Sequence, residues 1–257
     1  MKHAILVWLG RAMGRKPAPF CCLDTHAGAG RYDLESGPAA RTGEWQAGIA
    51  RLLDAPVPAL AAYLEMVRSR GLYPGSPSIA RALLRPGDRL VCCELHPDDA
   101  AALRGVFRGD RQVQVHRRDG WEALGALLPP PERRGLVLID PPYEEPCELA
   151  RLARALRAAL GRFPTGVYAA WYPIKHRAPV RAFHAAVAES GLRDVVAAEL
   201  LLREPLDPGR LNGCGLLVVN PPWRFEAEVP PVLAALHAGL GSGEAGGGSA
   251  LLRVVDE

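Results

Sequence analysis

No uninterrupted apolar run of about 18 residues occurs in the sequence, and the apolar start from Ala4 to Leu9 is too short to cross a bilayer. Nor does the start read as a signal peptide. Arg11, Arg15 and Lys16 follow the apolar stretch without a small-residue cleavage pattern, so residues 1–15 are expected to form an amphipathic helix. C-x-x-C spacing is also absent. The 6 cysteines fall as Cys21-Cys22, Cys92-Cys93, Cys147 and Cys214, which supports neither a metal site nor a disulfide framework. They read as buried, reduced thiols in a cytoplasmic protein. Lysine is scarce beside arginine, and the net charge of +3 permits a nucleic-acid partner without demanding one. Internal repeats are lacking. What is present is globular: 257 residues, 49% hydrophobic and 23% charged, enough for one large domain with its own core.

Short β-prone runs alternate with helical segments. They are Phe20–Asp24, Arg89–Glu94, Val113–Val115, Gly135–Ile139, Gly166–Tyr172, Val195–Leu202 and Gly215–Val219. Helices are expected over Glu148–Leu160 and around Val180–Ser190. Alternation of this kind implies a mostly parallel sheet covered on both faces, with the ligand site at the carboxyl ends of the strands. Only a short turn joins Leu202 to Gly215, too little for a helical crossover, so the last pair should be an antiparallel hairpin. Seven strands with the last reversed make the Rossmann-like α/β arrangement of class I methyltransferases. Residues 43–85 interrupt the alternation and read as a helical insertion in a single domain of residues 1–257. The Gly- and Ser-rich stretch 239–249 reads as a flexible connection, with an edge strand expected over Leu251–Val255.

Several strand ends carry chemistry. Asp24-Thr25-His26-Ala27-Gly28-Ala29-Gly30 is a Gly turn that lets backbone approach a nucleotide-like ligand, and it lacks the third glycine of a dinucleotide fingerprint. Glu94 is placed to accept a ribose diol, and Asp119-Gly120 to accept an adenine amino group while leaving room for the ring. A solvated acid and a plain turn remain open for these two. Asp140-Pro141-Pro142-Tyr143 is more specific, because two prolines remove two N–H donors and leave a rigid loop of acceptors. Asp140 and the Pro141 carbonyl can hold the N–H bonds of an exocyclic amine, and Tyr143 can stack on its base. Asn220-Pro221-Pro222-Trp223 looks similar, but it follows the reversed strand and should emerge at the opposite edge, as a structural loop.

The strings LDTHAGAGRYDL, RTGEW, YPGSP, CELHP, RRGLVLIDPPYE, TGVYAAWYPI and GLLVVNPPW together resemble the bacterial 23S ribosomal RNA adenine-N6 methyltransferases of the RlmJ family, from Asp24 to Trp223. The resemblance implies S-adenosylmethionine as cofactor, contacted by His26, Ser76, Glu94, Asp119 and Gly120. It also implies Asp140 as the catalytic acceptor, and His3 joins the cofactor set because Lys2-His3 look like the family's Lys-His pair. The family carries a preceding stretch with Tyr, His and Asn near the active site, whereas this sequence opens at Met1. Either the start is assigned late or the chain lacks that stretch, and cofactor enclosure is affected in both cases. The implied substrate is 23S RNA, naked or partly assembled, bound by a monomer without metal or membrane. Arg31, Arg41, Arg133, Arg134, Lys175, His176 and Arg177 are candidates for phosphate contact. Of these, Lys175, His176 and Arg177 lie on the correct edge of the sheet and Arg133-Arg134 on the wrong one. The alternatives are a DNA adenine-N6 methyltransferase, which the absence of an evident target-recognition domain disfavours, and a noncatalytic RNA-binding relative.

Overall fold

A computed structural model describes residues 1–34, 44–53, 57–69, 72–145, 147–241 and 243–257. Arg41, Thr42, Gly43 and Ser242 therefore lie outside the described residues. The strands in chain order are β1 (Cys21–Asp24), β2 (Arg31–Tyr32), β3 (Tyr73–Pro74), β4 (Arg89–Glu94), β5 (Val113–Arg117), β6 (Gly135–Ile139), β7 (Val167–Ile174), β8 (Val195–Leu201), β9 (Gly213–Val219) and β10 (Gly248–Val255). β2 and β3 pair with each other as a small antiparallel sheet. The rest form one 8-stranded sheet in the order β10-β8-β9-β7-β6-β1-β4-β5.

β6 reads as a continuous apolar run, and β1 as one up to Asp24, because both of their faces are covered. Cys22, Leu136 and Leu138 face one core, while Cys21, Leu23, Val137 and Ile139 face the other. The first core is closed by the helices Lys2–Gly14, Ala61–Arg68, Ser76–Leu83 and Phe225–Leu240, and the second by Gly120–Ala126, Glu148–Arg162 and Arg177–Glu189. Strands β7, β6, β1, β4 and β5 are parallel neighbours, so their carboxyl ends share one edge. β9 runs against both β7 and β8, as its short connection requires.

Three expectations need correction. The main sheet has eight strands rather than seven, the eighth being the expected C-terminal edge strand, which starts earlier, at Gly248, and pairs antiparallel with β8 as far as Val255. Gly248 and Ser249 thus open a strand, and Gly239 and Leu240 close a helix, which shortens the stretch expected to be a flexible connection. The helix Lys2–Gly14 is not one-sided. Ala4, Ile5, Leu6, Val7, Leu9, Gly10, Ala12 and Met13 are all buried, since it packs on β6, on Ser76–Leu83 and on Phe225–Leu240. A Cβ on Gly10 would stand 2.6 Å from Leu83 Cδ1, so glycine sets that close approach. Truncating fully buried Leu9 to alanine would cost ~2–5 kcal/mol.

Residues 44–83 are mostly helical where described: Glu44–Ala47, Ala50–Leu53, a 3-10 turn at Pro58–Leu60, Ala61–Arg68 and Ser76–Leu83, with β3 between the last two. The cysteines also divide. Cys21, Cys22, Cys92 and Cys93 are buried, but Cys147 is exposed and Cys214 half-buried, since Cys147 stands at the start of a surface helix.

Candidate active site

The parallel strands deliver their last residues to one cleft of about 710 Å3. It is lined by Thr25, His26 and Gly28 after β1, Glu94 and His96 after β4, Asp119, Gly120 and Trp121 after β5, and Asp140, Pro142, Glu144 and Glu145 after β6. Asp99, Glu148 and Arg151 complete the polar wall. The lining is thus dominated by carboxylates, and Arg151 lies over the Trp121 ring, 4.8 Å from its centroid.

The loop after β1 is held by its own backbone. Thr25 N–H donates to Leu138 O (3.0 Å) and Ala27 N–H to Cys93 O (2.9 Å), which ties it to both neighbouring strands. Gly28 and Gly30 have φ of +62° and +81°, a region that disfavours other residues. The Gly28 N–H donates to Glu94 Oε2 and the His96 N–H to Glu94 Oε1, each at 2.8 Å. Glu94 therefore organises the cleft while keeping lone pairs free. Asp119 caps the helix Gly120–Ala126, with Oδ1 accepting from Trp121 N–H (2.6 Å), and Oδ2 turns toward Arg151 at 3.9 Å. Gly120 is needed by the protein's own packing: a Cβ there would meet Thr25 O at 2.2 Å and the His26 ring at 2.7 Å. His26 Nδ1 meets Thr25 Oγ1 at 2.8 Å, and its ring stands edge-on to Trp121. Burial lowers its pKa against the pull of Asp140, Asp119 and Glu94, which keeps the imidazole neutral at pH 7.

Asp140 forms an ion pair through Oδ2 with Lys2, at the start of the first helix. Burial opposes charge on Lys2, but Asp140 outweighs it by charge and hydrogen bond, so the Lys2 pKa is raised. This partner was not read from the sequence, where the two stand 138 residues apart. Behind them lies Asp24, fully buried, neither carboxylate oxygen meeting a hydrogen-bond donor at bonding geometry. Burial pushes its pKa from 3.8 to about 6, with Ser76 and Lys2 acting in the opposite direction.

Other expected site residues lie outside the cleft lining. Ser76 is buried at the start of its helix and acts on Asp24. His3 meets the Tyr73 hydroxyl through Nδ1 at 3.1 Å, and burial, then Lys2, hold its pKa well below the usual value. Gly30 supports the wall, its carbonyl accepting from Ser78 Oγ at 2.7 Å. Pro141 is buried. Tyr143 has φ +57°, its hydroxyl donates to Trp171 O, and it lines an adjoining cavity of about 350 Å3 with Lys175, His176, Pro173 and Pro179. Arg177 is the exception among the expected phosphate contacts. It is drawn to buried Glu199 at 3.0 Å, which also accepts from the Tyr172 hydroxyl.

Asn220 stands at the opposite edge, as strand direction requires. Its Nδ2 donates to Pro164 O (2.8 Å) and Gly166 O (2.7 Å), just before β7.

A mostly parallel sheet with β9 and β10 reversed at one side, a Gly turn after its first strand and an Asp-Pro-Pro-Tyr loop after its fourth parallel strand define a class I methyltransferase. Comparison with known proteins narrows the class. The family model described as "Ribosomal RNA large subunit methyltransferase D, RlmJ" matches residues 17–254, and the chain belongs to that family. It is 41% identical to Ribosomal RNA large subunit methyltransferase J of Escherichia coli K12 over 93% of this chain and 89% of that protein. To the Haemophilus influenzae protein of the same name it is 38% identical, over 92% and 87%. A crystal structure from Legionella pneumophila superposes with a TM-score of 0.89 at 34% identity, covering 98% of this chain and 95% of that one.

Proposed function

We propose that the protein transfers a methyl group from S-adenosylmethionine to the N6 amino group of one adenine in 23S ribosomal RNA, naked or partly assembled, as a single cytoplasmic chain without a metal. Family membership supports the RNA substrate. The observation that carries the chemistry is Asp140, at the carboxyl end of β6, with Oδ2 held by Lys2 and Oδ1 left for a substrate N–H.

The cleft suits a ligand with cationic sulfonium and ammonium centres, since carboxylates dominate its wall and neutral His26 adds no opposing charge. Glu94 offers its remaining lone pairs to a ribose diol, and Asp119 Oδ2 accepts from an adenine amino group. Gly28, Gly30, Gly120, Ser76 and His3 act on the same ligand by holding these groups in place. When bound, S-adenosylmethionine supplies an electrophilic methyl.

The chain's own residues prepare the amine. Its lone pair is delocalised into the ring until both N–H bonds are held, one by Asp140 Oδ1 and one by the Pro141 carbonyl. The proton passes late to Asp140 or to water. Lys2 fixes the carboxylate for this role, so positioning and electrostatics supply most of the acceleration. Tyr143, Lys175 and His176 line the neighbouring cavity, which shares Glu144, Glu145 and Glu148 with the cleft, and an extruded base arrives there with its phosphate toward Lys175.

Tritiated S-adenosylmethionine incubated with deproteinised 23S RNA, 16S RNA and duplex DNA tests this reading. Label is expected on 23S RNA, reduced about 100-fold or more in Asp140→Ala. Undiminished label in that variant would overturn the role of Asp140, and label on DNA alone would overturn the substrate. A protein that binds cofactor and RNA but transfers no label would overturn the activity.

A further inference from the structure

The cleft that suits a cationic cofactor is a poor place to bind a polyanion. The opposite edge of the sheet has the reverse character. There a cavity of about 550 Å3 is lined by Arg15, Lys16, Arg133 and Arg134, with Asn220 to Trp223 along one side and no carboxylate among its lining residues. Trp223 is 80% exposed, more than any other large hydrophobic side chain described.

The loop that carries Trp223 is stiff. Asn220 is braced on Pro164 and Gly166, two prolines follow, and Arg224 sits at φ +70° with its guanidinium 5.4 Å from the Trp223 ring centroid. Glu228, which reaches this side from the following helix, is already paired with Arg15 (2.9 Å) and Arg224 (3.0 Å). Lys16 and Arg133 are exposed and make no ion pair among the described residues.

We propose that this surface is a second RNA-binding site, remote from the methyl-transfer cleft, where an unpaired base stacks on Trp223 and the flanking phosphates meet Lys16 and Arg133. An exposed aromatic on a rigid loop among cations is the arrangement that holds single-stranded nucleic acid. Positive charge at the rim, with Glu228 already paired and no carboxylate among the lining residues, favours a phosphate backbone, while an acidic protein would leave the ring without a planar partner. The inference rests on the RNA-substrate reading above. It adds that the substrate spans the molecule, anchored at the amino edge of the sheet while its target base enters at the carboxyl edge.

The test uses the full chain and deproteinised 23S RNA. Fluorescence anisotropy and steady-state methylation are measured for wild type, Trp223→Ala, Lys16→Gln and Arg133→Asn, the last chosen because asparagine tolerates the φ of +53° at that position. Trp223→Ala is expected to raise both the RNA Kd and the RNA KM at least about fivefold, with kcat and cofactor affinity changed less than about twofold. Each cation variant should lower the slope of log K against log salt by about 0.7. Acylation of surface amines should show Lys16 protected when RNA is bound. Wild-type methylation of 23S RNA together with unchanged Kd, KM and salt slope in all three variants would overturn this inference and leave the enzyme reading intact. Loss of labelling in wild type itself would overturn the enzyme reading, and RNA-insensitive acylation of Lys16 would overturn the surface directly.

Discussion

Asp140-Pro141-Pro142-Tyr143 and Asn220-Pro221-Pro222-Trp223 are nearly the same tetrapeptide after nearly the same kind of strand, yet their surroundings are opposite. The first leaves a parallel strand into a carboxylate-lined cleft, with Lys2 on its acid. The second leaves the reversed strand into a cation-lined cavity, with its amide donating to two backbone carbonyls. Strand direction, not the tetrapeptide, decides which of the two does chemistry. An acid at the first site accepts from a substrate; an amide at the second closes a loop.

The comparison can be broken most sharply at its first member. Asp140→Asn keeps the shape but replaces one acceptor oxygen with a donor and removes the charge that Lys2 pairs with. It is expected to lower the single-turnover rate about 100-fold or more. Lys2→Met leaves Asp140 in place without its cation, and a loss of roughly 10-fold in kcat with cofactor still bound is the expected result. A rate within about twofold of wild type would show that the ion pair does not position the acid.

Asp24 sharpens the contrast through stability. Its pKa is about 6 in the fold against 3.8 ordinarily, so the unfolded chain releases this proton first. The Asp24 contribution is therefore favourable at low pH and is lost as pH rises from about 4 to 6, by roughly 3 kcal/mol at full ionisation. Denaturant titrations of wild type and Asp24→Asn across that window should converge at about pH 4 and separate by about pH 7, with the variant more stable at the higher pH. Parallel curves would contradict the raised pKa.

At the second tetrapeptide the effect is smaller and structural. Asn220→Ala removes two hydrogen bonds and leaves an alanine at φ +53°, and roughly 1–3 kcal/mol of unfolding free energy should be lost. Trp223→Ala, at a ring that is 80% exposed, should move stability by less than about 0.5 kcal/mol. A larger loss at Trp223 would mean that the ring supports the fold instead of standing ready for a ligand.

Much of this contrast was legible in the sequence. Strand order followed from the alternation of apolar runs with helices, and the short link between β8 and β9 gave the reversal that separates Asn220 from Asp140. What escaped depended on residues distant in the chain. Lys2 meets Asp140 across 138 positions, and nothing local in either segment announces the pair. The complete burial of the Asp24 carboxylate comes from segments packed around it later in the chain, invisible in a strand that reads simply as apolar and then acidic. Gly120 also clears Thr25 O and the His26 ring, a contact between two loops brought together by parallel pairing that its own segment does not announce. Arg177 was grouped with Lys175 and His176 by proximity in sequence, yet one residue on, the chain has turned into a helix that carries it to Glu199. The first helix looked amphipathic because its charged residues are few and visible, while its burial is set by neighbours that come later in the chain.

The most direct test of the central claim is the single-turnover rate of methyl transfer at saturating deproteinised 23S RNA for Asp140→Asn and Asn220→Ala, side by side with cofactor binding measured for each. The account predicts that Asp140→Asn binds cofactor but transfers at least about 100-fold more slowly, whereas Asn220→Ala, where folded, transfers within about threefold of wild type. A slow Asn220→Ala beside a fast Asp140→Asn would contradict it.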